Sequence, residues 1–463
     1  MPELYDLTAV TLAQRFSDRS LTPVDYAEAL LSHIARWEPH INALYRFDPQ
    51  RVRTQAAAAT RRWAAGTPLS PIDGIPVTIK ELIATEGDPV PQGSAATELQ
   101  PATVDAPIAM RLREAGAVLI GKTTTPDYGM LTSGMSSMHG LTRNPWNLAM
   151  NPGGSSSGAA AAAAASYGPF HVGTDIGGSI RLPAGLCGLV GLKPSHGRVP
   201  VDPYYVGRCA GPMTRTIDDC ALLMQFLSLP DPRDATSLSY QAIDWTIDAA
   251  DVRGMRIGLM LEAGCGLEPE AEVVAAVQAA ADLFAAHGAV IVPVAPVLNR
   301  DMLDGIDRFF QARLLGDLER LPPDRRARIL PYILEWAGQG AALSGVEAIR
   351  SFNRTYEIRA AAARPFQDVE AVLSPVNPTG CFPAEWASPV NDPHRPFEHI
   401  AFTLPWNMGE QPGLSINCGF TSNDMPIGLQ IVGPRFSDRL VLQLGKAYEN
   451  WRADMPRWPL PPA

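Results

Sequence analysis

The segment GGSSSGAAAAAAA, from Gly153 to Ala165, decides how the rest of this sequence is interpreted. Gly/Ser tracts usually act as flexible linkers. This one instead runs directly into seven alanines, Ala159 to Ala165, and alanine has the strongest helix preference of any residue. Ser155 therefore lies just before a predicted helix, where its hydroxyl is near the positive end of the helix dipole. An alanine helix is also thin, so strands can approach its backbone closely.

A second glycine-serine element follows closely as GTDIGGSIR, from Gly173 to Arg181. Gly177 and Gly178 directly precede Ser179, and glycine permits backbone turns that other residues resist. Such a turn exposes backbone N–H groups beside the serine with no side chain in the way. Backbone N–H groups aimed at a developing negative charge form an oxyanion hole, so this element predicts a nucleophilic serine.

Lysine is rare in this chain, which has only four among its 38 basic residues: Lys80, Lys122, Lys193 and Lys446. Lys80 ends the apolar run GIPVTIK, which is typical of a buried strand. Burial in such a strand disfavours the charged amine and lowers the pKa of a lysine. A neutral lysine can activate a serine in place of histidine, so Lys80 is a candidate base.

Two other segments match the residue pattern of a known motif, but the secondary structure predicted around them does not fit that motif. GAVLIGKT, from Gly116 to Thr123, fits the P-loop pattern, yet its four central residues are strand-forming and a helix precedes them. GSSSG, from Gly154 to Gly158, fits a nucleophile elbow centred on Ser156. An elbow follows a strand, whereas this segment follows a turn, and its candidate bases His394 and His399 lie in a proline-rich stretch.

The remaining sequence alternates helical patterns with short apolar strands, which predicts an α/β fold with helices on both faces of a large mixed sheet. In residues 105–123 and 268–294 a helical pattern ends at Gly116 or Gly288 and a buried strand is predicted to follow. No repeat or linker divides the chain, so residues 1–463 are interpreted as a single domain. Residues 295–365 are predicted to form a helical excursion on the substrate side.

Composition excludes several classes of function. The net charge is −10, which disfavours nucleic-acid and anionic-membrane partners because both require a basic face. No apolar run approaches the length of a membrane span, and MPELYDLTAV lacks the pattern of a secretory signal. Six scattered cysteines form no metal-binding or redox motif. We therefore expect a cytoplasmic protein with no cofactor, no metal and a small-molecule substrate.

The three elements GIPVTIK, GGSSSG and GTDIGGSIR occur in this order in a family that the sequence resembles, the amidase signature family. Further similarity in AGAVLIGKTTTPDYG and GLCGLVGLKPSHGRVP extends the resemblance over a core of about residues 73–219. The resemblance implies the fold of that family, a large twisted mixed sheet covered by helices. It also implies a Ser–cisSer–Lys catalytic triad.

Carried over to this sequence, the resemblance implies that Ser179 is the nucleophile, Ser155 the bridging serine in a cis peptide and Lys80 the base. The implied oxyanion hole consists of the backbone amides of Ile176, Gly177, Gly178 and Ser179. One wall of the acyl site corresponds to Gly129, Met130, Leu131 and Thr132. Asp175 and Arg181 are expected to support the turn. Ser157, Glu81 and Asn417 depart from the usual pattern, and Asn417 stands where proline is expected.

The function that these residues imply is hydrolysis of an amide, or of a related carbamate or ester, through a serine acyl-enzyme. Eight apolar residues suggest an apolar or aryl substrate: Met130, Leu131, Met135, Met138, Phe382, Trp386, Trp406 and Met408. The alternative is the glutaminase (A-type) subunit of a tRNA-dependent amidotransferase. Ile176 and Leu182 stand where that subunit typically has threonine and glutamine, which favours a free-standing hydrolase. The resemblance is also compatible with a homodimer.

Overall fold

A mixed sheet of eleven strands runs through residues 3–462, the part of the chain that the computed structural model describes. Its order is β1-β3-β2-β6-β8-β7-β12-β13-β11-β9-β10, and β4 and β5 form a separate pair. The strands are β1 (Leu44–Tyr45), β2 (Pro76–Lys80), β3 (Val118–Thr123), β4 (Met135–Ser136), β5 (Gly140–Leu141), β6 (Phe170–Asp175), β7 (Val190–Lys193), β8 (Cys209–Thr214), β9 (Arg256–Leu259), β10 (Val290–Pro293), β11 (Ala371–Pro375), β12 (Gly413–Phe420) and β13 (Pro426–Val432).

Helices cover both faces of this sheet, so the predicted α/β fold class is confirmed. They are α1 (Ala9–Ser17), α2 (Pro23–Ile41), α3 (Pro49–Ala65), α4 (Pro107–Glu114), α5 (Ser157–Ala164), α6 (Arg181–Cys187), α7 (Ile217–Leu227), α8 (Ala271–Ala286), α9 (Arg300–Leu318), α10 (Pro323–Arg326), α11 (Pro331–Gly338), α12 (Gly345–Ala363), α13 (Pro405–Met408) and α14 (Asp438–Trp451). In the described residues, no helix is both long and apolar enough to cross a membrane.

The alanine segment forms α5, and every residue of this helix is buried. It packs against β2, β3 and β6, which are neighbours in the sheet. A helix that is apolar on all sides belongs inside the protein, and its small side chains allow close approach to the strands. The Gly/Ser tract is therefore the buried entry to a core helix and not a linker.

The pairing of the strands places Lys80 next to β6, the strand that leads to the second glycine-serine element. β2 and β6 are parallel neighbours with Ile79 opposite Val172, so Lys80 at the end of β2 lies beside the end of β6. β2 also pairs in parallel with β3, where Lys80 is opposite Thr123. The carboxyl ends of parallel strands meet at one sheet edge, which is where open α/β sheets place their ligand sites.

The prediction of a buried strand after Gly288 is wrong for β10. This strand pairs with β9 at the end of the sheet, and Val290 is 45% exposed. Its apolar run resembles that of a central strand, but its position at the edge leaves much of it in solvent. By contrast, the P-loop-like segment forms strand β3, as the sequence indicated. Asn417 lies at an irregularity of β12, where the register with β13 shifts.

Helices α9, α11 and α12 and the segment around residue 400 share a second apolar cluster, separate from the main core under α2 and α14. Phe310 of α9 and Trp336 of α11 both lie near Phe397, with ring centroids 5.9 Å and 5.7 Å away. The helical excursion predicted for residues 295–365 is thus anchored on the segment that follows β11.

Candidate active site

Lys80 ends strand β2 with its amine surrounded by hydroxyl groups. The Nζ atom lies 2.8 Å from Ser155 Oγ, 3.1 Å from Ser156 Oγ and 3.0 Å from Thr174 Oγ1. All four side chains are buried. The first two partners come from the entry to α5 and the third from β6, so the site depends on the packing of this helix over these two strands.

The environment of Lys80 favours a neutral amine. Burial and the nearby Arg208 guanidinium hold the pKa of Lys80 well below its ordinary value, against a smaller opposing effect of Asp175 and Glu81. Burial is the dominant cause because removing the ammonium from water penalises the charged form. A neutral lysine can accept a proton from a neighbouring hydroxyl.

Two other lysines are buried and differ from Lys80 in what they contact. Lys122 donates to the carbonyl oxygen of Ile83, and burial lowers its pKa to about 8. Lys193 donates to the carbonyl oxygen of Pro194 at 2.9 Å and lies 3.9 Å from the Sγ atom of Cys209, a thiol whose pKa burial raises to about 11. A carbonyl can only accept, whereas a hydroxyl can also give up a proton. Of these three buried lysines, Lys80 is the one whose partners are hydroxyl groups.

Hydrogen bonds of the Ser155 carbonyl and of the Ser156 amide hold the backbone that follows the Ser155 side chain. The Gly154–Ser155 peptide bond is cis, and Thr125 Oγ1 donates to the carbonyl oxygen of Ser155 at 2.8 Å. The next residue, Ser156, donates its backbone N–H to the carbonyl oxygen of Ser179 at 3.2 Å. This bond joins the Gly/Ser tract to the second glycine-serine element.

The turn from Asp175 to Arg181 is shaped by the Asp175 carboxylate. It accepts the backbone N–H of Gly178 at 2.8 Å and that of Ile180 at 3.1 Å. Gly178 has a φ of 126°, and a Cβ there would lie 2.5 Å from Thr403 Oγ1. Glycine is required at this position both for the backbone angle and for the space.

Asp175 and Arg181 form a buried ion pair, with Asp175 Oδ1 2.9 Å from Arg181 Nη2. The guanidinium also donates to Gln430 Oε1 at 2.7 Å and to Asn407 Oδ1 at 2.6 Å. Burial acts to raise the pKa of Asp175, but the charge and hydrogen bonds of Arg181 outweigh it and hold that pKa well below its usual range. The pair has the structural position expected from the sequence.

The four backbone amides predicted for the oxyanion hole differ in whether they already donate a hydrogen bond within the protein. Gly178 N–H is already bound to Asp175. Within residues 3–462, the N–H groups of Ile176, Gly177 and Ser179 donate to no protein acceptor. Three of the four predicted amides are therefore free to bind a substrate oxygen, and the fourth stabilises the turn.

An apolar cleft opens beside Ser179. It contains the whole predicted wall, Gly129 to Thr132, together with Ile176 and Gly177. The other lining residues are Leu182, Phe310, Tyr332, Ala387, Ser388, Pro396, Phe397, His399 and Ile400. No aspartate, glutamate, lysine or arginine is among the residues that line it.

Met130 and Leu131 line this cleft, but six other residues suggested by the sequence do not: Met135, Met138, Phe382, Trp386, Trp406 and Met408. Trp406 and Met408 are buried in the second apolar cluster, and Trp386 is exposed. The far wall is instead supplied by Phe310, Phe397 and Ile400. Sequence reasoning missed them because they come from segments without a motif. Thr174, also missed, lies within the second motif itself.

The model of the Amidase family matches residues 25–442. The chain belongs to the amidase signature family.

The A-type subunit of the glutamyl-tRNA(Gln) amidotransferase of Roseiflexus sp. (strain RS-1) is 36% identical over 99% of this chain and 100% of that protein. An acylamidase of Rhodococcus erythropolis is 32% identical over 97% of this chain and 96% of that protein. The crystal structure of a bacterial aryl acylamidase of the same family superposes with a TM-score of 0.88, at 26% identity and with 96% of each chain covered. Membership supports chemistry on amide carbon–nitrogen bonds in general, by hydrolysis or by amide transfer.

Proposed function

We propose that this amidase-family protein is a free-standing hydrolase of amides with an apolar or aryl acyl group, acting through a serine acyl-enzyme. The observation that carries the proposal is the buried Lys80 amine 2.8 Å from Ser155 Oγ, in a site joined through Ser156 to the Ser179 turn. Carbamates and esters of similar shape are further candidate substrates because the same steps would cleave them.

In the proposed mechanism, neutral Lys80 accepts the proton of the Ser155 hydroxyl while Ser155 takes that of Ser179. Ser179 Oγ attacks the amide carbon, and the carbonyl oxygen becomes an oxyanion. The N–H groups of Ile176, Gly177 and Ser179 are the donors available to this oxygen. Preorganised donors of this kind are worth about 3–4 kcal/mol each in the transition state.

The carbon–nitrogen bond then breaks, and the leaving amine takes a proton returned from Lys80 through Ser155. Water attacks the Ser179 ester by the same route, with Lys80 again accepting a proton. The acid product leaves, and the proton passes back to Ser179. In each half-reaction, Lys80 and Ser155 together act once as a base and once as an acid.

The character of the cleft supports an apolar acyl group over free glutamine. Glutamine carries an ammonium and a carboxylate, and a charge removed from water needs a partner of opposite charge. The cleft beside Ser179 is lined by residues such as Leu131, Phe310 and Ile400 and by no ionisable carboxylate, lysine or arginine. Glutaminase activity in an amidotransferase is the second candidate because relatives at 34–36% identity carry that name.

Hydrolysis by the isolated chain distinguishes these two functions. We expect the purified protein to release 4-nitroaniline from the phenylacetyl and butyryl 4-nitroanilides and to release no ammonia from L-glutamine. Ser179→Ala is the control for hydrolysis by contaminants. Ammonia release from glutamine without anilide hydrolysis, by the chain alone or with the other amidotransferase subunits added, would replace the proposal with the second candidate.

A further inference from the structure

His399 lines the cleft, although neither the mechanism nor the fold gives it a role. It is 2% exposed, and within residues 3–462 neither ring nitrogen has a hydrogen-bond partner. Buried polar groups are nearly always paired, because an unpaired one loses its hydrogen bonds to water without replacement. An unpaired ring in the wall of a substrate cleft therefore suggests that a ligand completes its hydrogen bonds.

The segment that carries His399 is held against the nucleophile turn. Thr403 Oγ1 donates to the carbonyl oxygen of Gly177 at 2.6 Å. On the other side, Arg300 Nη1 donates to Glu398 Oε1 at 2.8 Å. These contacts fix the position of the histidine relative to Ser179, because they flank it in sequence and one of them reaches the turn directly.

The ring is neutral in this position, since burial lowers the pKa of His399 to about 3. A neutral imidazole presents one N–H donor and one acceptor nitrogen. It therefore suits an uncharged group and not a carboxylate, which would need a cation. A hydroxyl fits best because it can donate or accept, and so satisfies whichever nitrogen faces it.

Two other polar side chains of the cleft wall, Tyr332 and Ser388, already have protein partners. The Tyr332 hydroxyl donates to the carbonyl oxygen of Asp392 at 2.9 Å, and Ser388 Oγ accepts the backbone N–H of Asn391 at 3.0 Å. The apolar side chains across the cleft offer His399 no hydrogen bond. Among the described residues, the hydroxyl groups of Thr132 and Ser179 also lack a protein partner, but His399 is the lining residue whose unpaired polar atoms are fully buried.

We propose that His399 is a specificity-determining residue that hydrogen-bonds a hydroxyl group on the acyl part of an otherwise apolar amide substrate. This inference rests on the proposed function, since it assumes that the cleft holds the acyl group of an amide. It goes further by naming a polar feature of that group and the residue that recognises it.

A hydroxyl scan of the acyl chain tests this proposal. The probes are the 4-nitroanilides of hexanoic acid and of its 3-, 4-, 5- and 6-hydroxy derivatives. We expect at least one hydroxylated substrate to exceed the hexanoyl compound in kcat/KM by about tenfold or more, because sites built for a hydroxyl discriminate strongly against analogues that lack it. Hexanoyl anilide as the best substrate of the series would overturn the proposal.

Variants of His399 distinguish a role in substrate recognition from a purely structural role. His399→Leu should raise KM for the hydroxylated substrate more than for the hexanoyl anilide, and so remove the preference between them. His399→Gln, which keeps a donor and an acceptor, should restore part of it. His394→Leu is the matched control, because His394 is exposed and pairs with Glu335 at 3.1 Å. An equal loss on every substrate in His399→Leu would show a structural role and contradict the proposal.

Labelling by a fluorophosphonate distinguishes failure of this inference from failure of the proposed function. If Ser179 is labelled and anilides are hydrolysed without a hydroxyl preference, only the role of His399 is wrong. If neither occurs in folded wild type, the proposed hydrolase fails, and the role of His399 fails with it. If His399→Leu does not fold, the hydroxyl scan of wild type together with His399→Gln decides the matter.

Discussion

The amine of Lys80 lies 2.8 Å from the hydroxyl oxygen of Ser155, and neither side chain has appreciable contact with solvent. A charged ammonium here would lack water and any carboxylate partner within ion-pair distance in the described chain. The protonated form is therefore the costly one, and the neutral amine is the form that the site favours. We therefore expect the activity to depend on pH and to require Lys80 in particular.

The activity should depend on pH through Lys80. Because the neutral amine is the base, kcat/KM should fall as the pH falls through the lowered pKa of Lys80 and reach a plateau above it. The acid limb should thus lie below the ordinary lysine pKa of about 10.4. The measurement is kcat/KM on a 4-nitroanilide from pH 5 to pH 10. A flat profile down to pH 5 would argue against lysine as the base.

Replacing Lys80 should remove activity, whereas replacing another buried lysine should not. Lys80→Met should lower kcat/KM by about 10²–10⁴-fold, the range for loss of a general base. Lys122→Met is the matched control, since Lys122 is also buried but contacts the carbonyl oxygen of Ile83. We expect it to lower the melting temperature while the turnover per folded molecule is retained. Equal loss of turnover in both variants would mean that burial, and not proton transfer, explains the effect.

A methyl group at Gly178 should disrupt the turn that presents Ser179. Its φ of 126° is unfavourable for alanine, and the Cβ would lie 2.5 Å from Thr403 Oγ1. Gly178→Ala should therefore reduce kcat by tenfold or more and slow fluorophosphonate labelling. In Gly316→Ala, within helix α9, the added Cβ meets nothing within 4 Å. That control should keep its activity and gain up to about 1 kcal/mol of stability. Unchanged kinetics in Gly178→Ala would refute the turn geometry.

The Asp175–Arg181 pair should matter for stability. Asp175→Asn leaves the buried Arg181 guanidinium without its counter-charge, and breaking such a pair costs about 3–5 kcal/mol. Urea unfolding at pH 7 measures this loss. Asp251→Asn is the control, because the Asp251–Arg253 pair is exposed and its loss should change little. A free energy of unfolding equal to wild type in Asp175→Asn would contradict the structural role.

The same pair predicts the direction of a pH effect. The pKa of Asp175 in the folded protein is below its unfolded value of about 3.9. Its contribution to stability is therefore complete above that unfolded value and is lost as the pH falls toward the folded one. The difference in unfolding free energy between wild type and Asp175→Asn should be constant from pH 7 to pH 5 and shrink below about pH 4. A difference that grows under acid conditions would contradict this assignment.

Much of the site was predictable because its parts are local in sequence. The alanine run specifies a buried helix, the glycines before Ser179 specify a tight turn, and the apolar run ending at Lys80 specifies a buried strand. These predictions depend on short-range preferences, and the structure has all three elements. The exposure of β10 was not predictable in this way, because it depends on the order of strands in the sheet.

The far wall of the cleft could not be predicted for a related reason. Phe310, Phe397 and Ile400 come from two segments without a motif, and packing of the second apolar cluster brings them to the cleft beside Ser179. The capture of Gly178 N–H by Asp175 likewise depends on a side-chain orientation that no pattern reveals. Residue types at fixed spacing predict the reacting groups, whereas tertiary packing determines what they act on.

Activation of Ser179 as a nucleophile through Ser155 and Lys80 is the step on which the proposed chemistry depends. Its most direct test is intact-mass analysis after exposure to a fluorophosphonate, with wild type and Ser179→Ala compared under the same conditions. We predict a single adduct on wild type and none on the folded variant. An equal adduct on Ser179→Ala, or no adduct on folded wild type that nevertheless hydrolyses amides, would contradict the assignment.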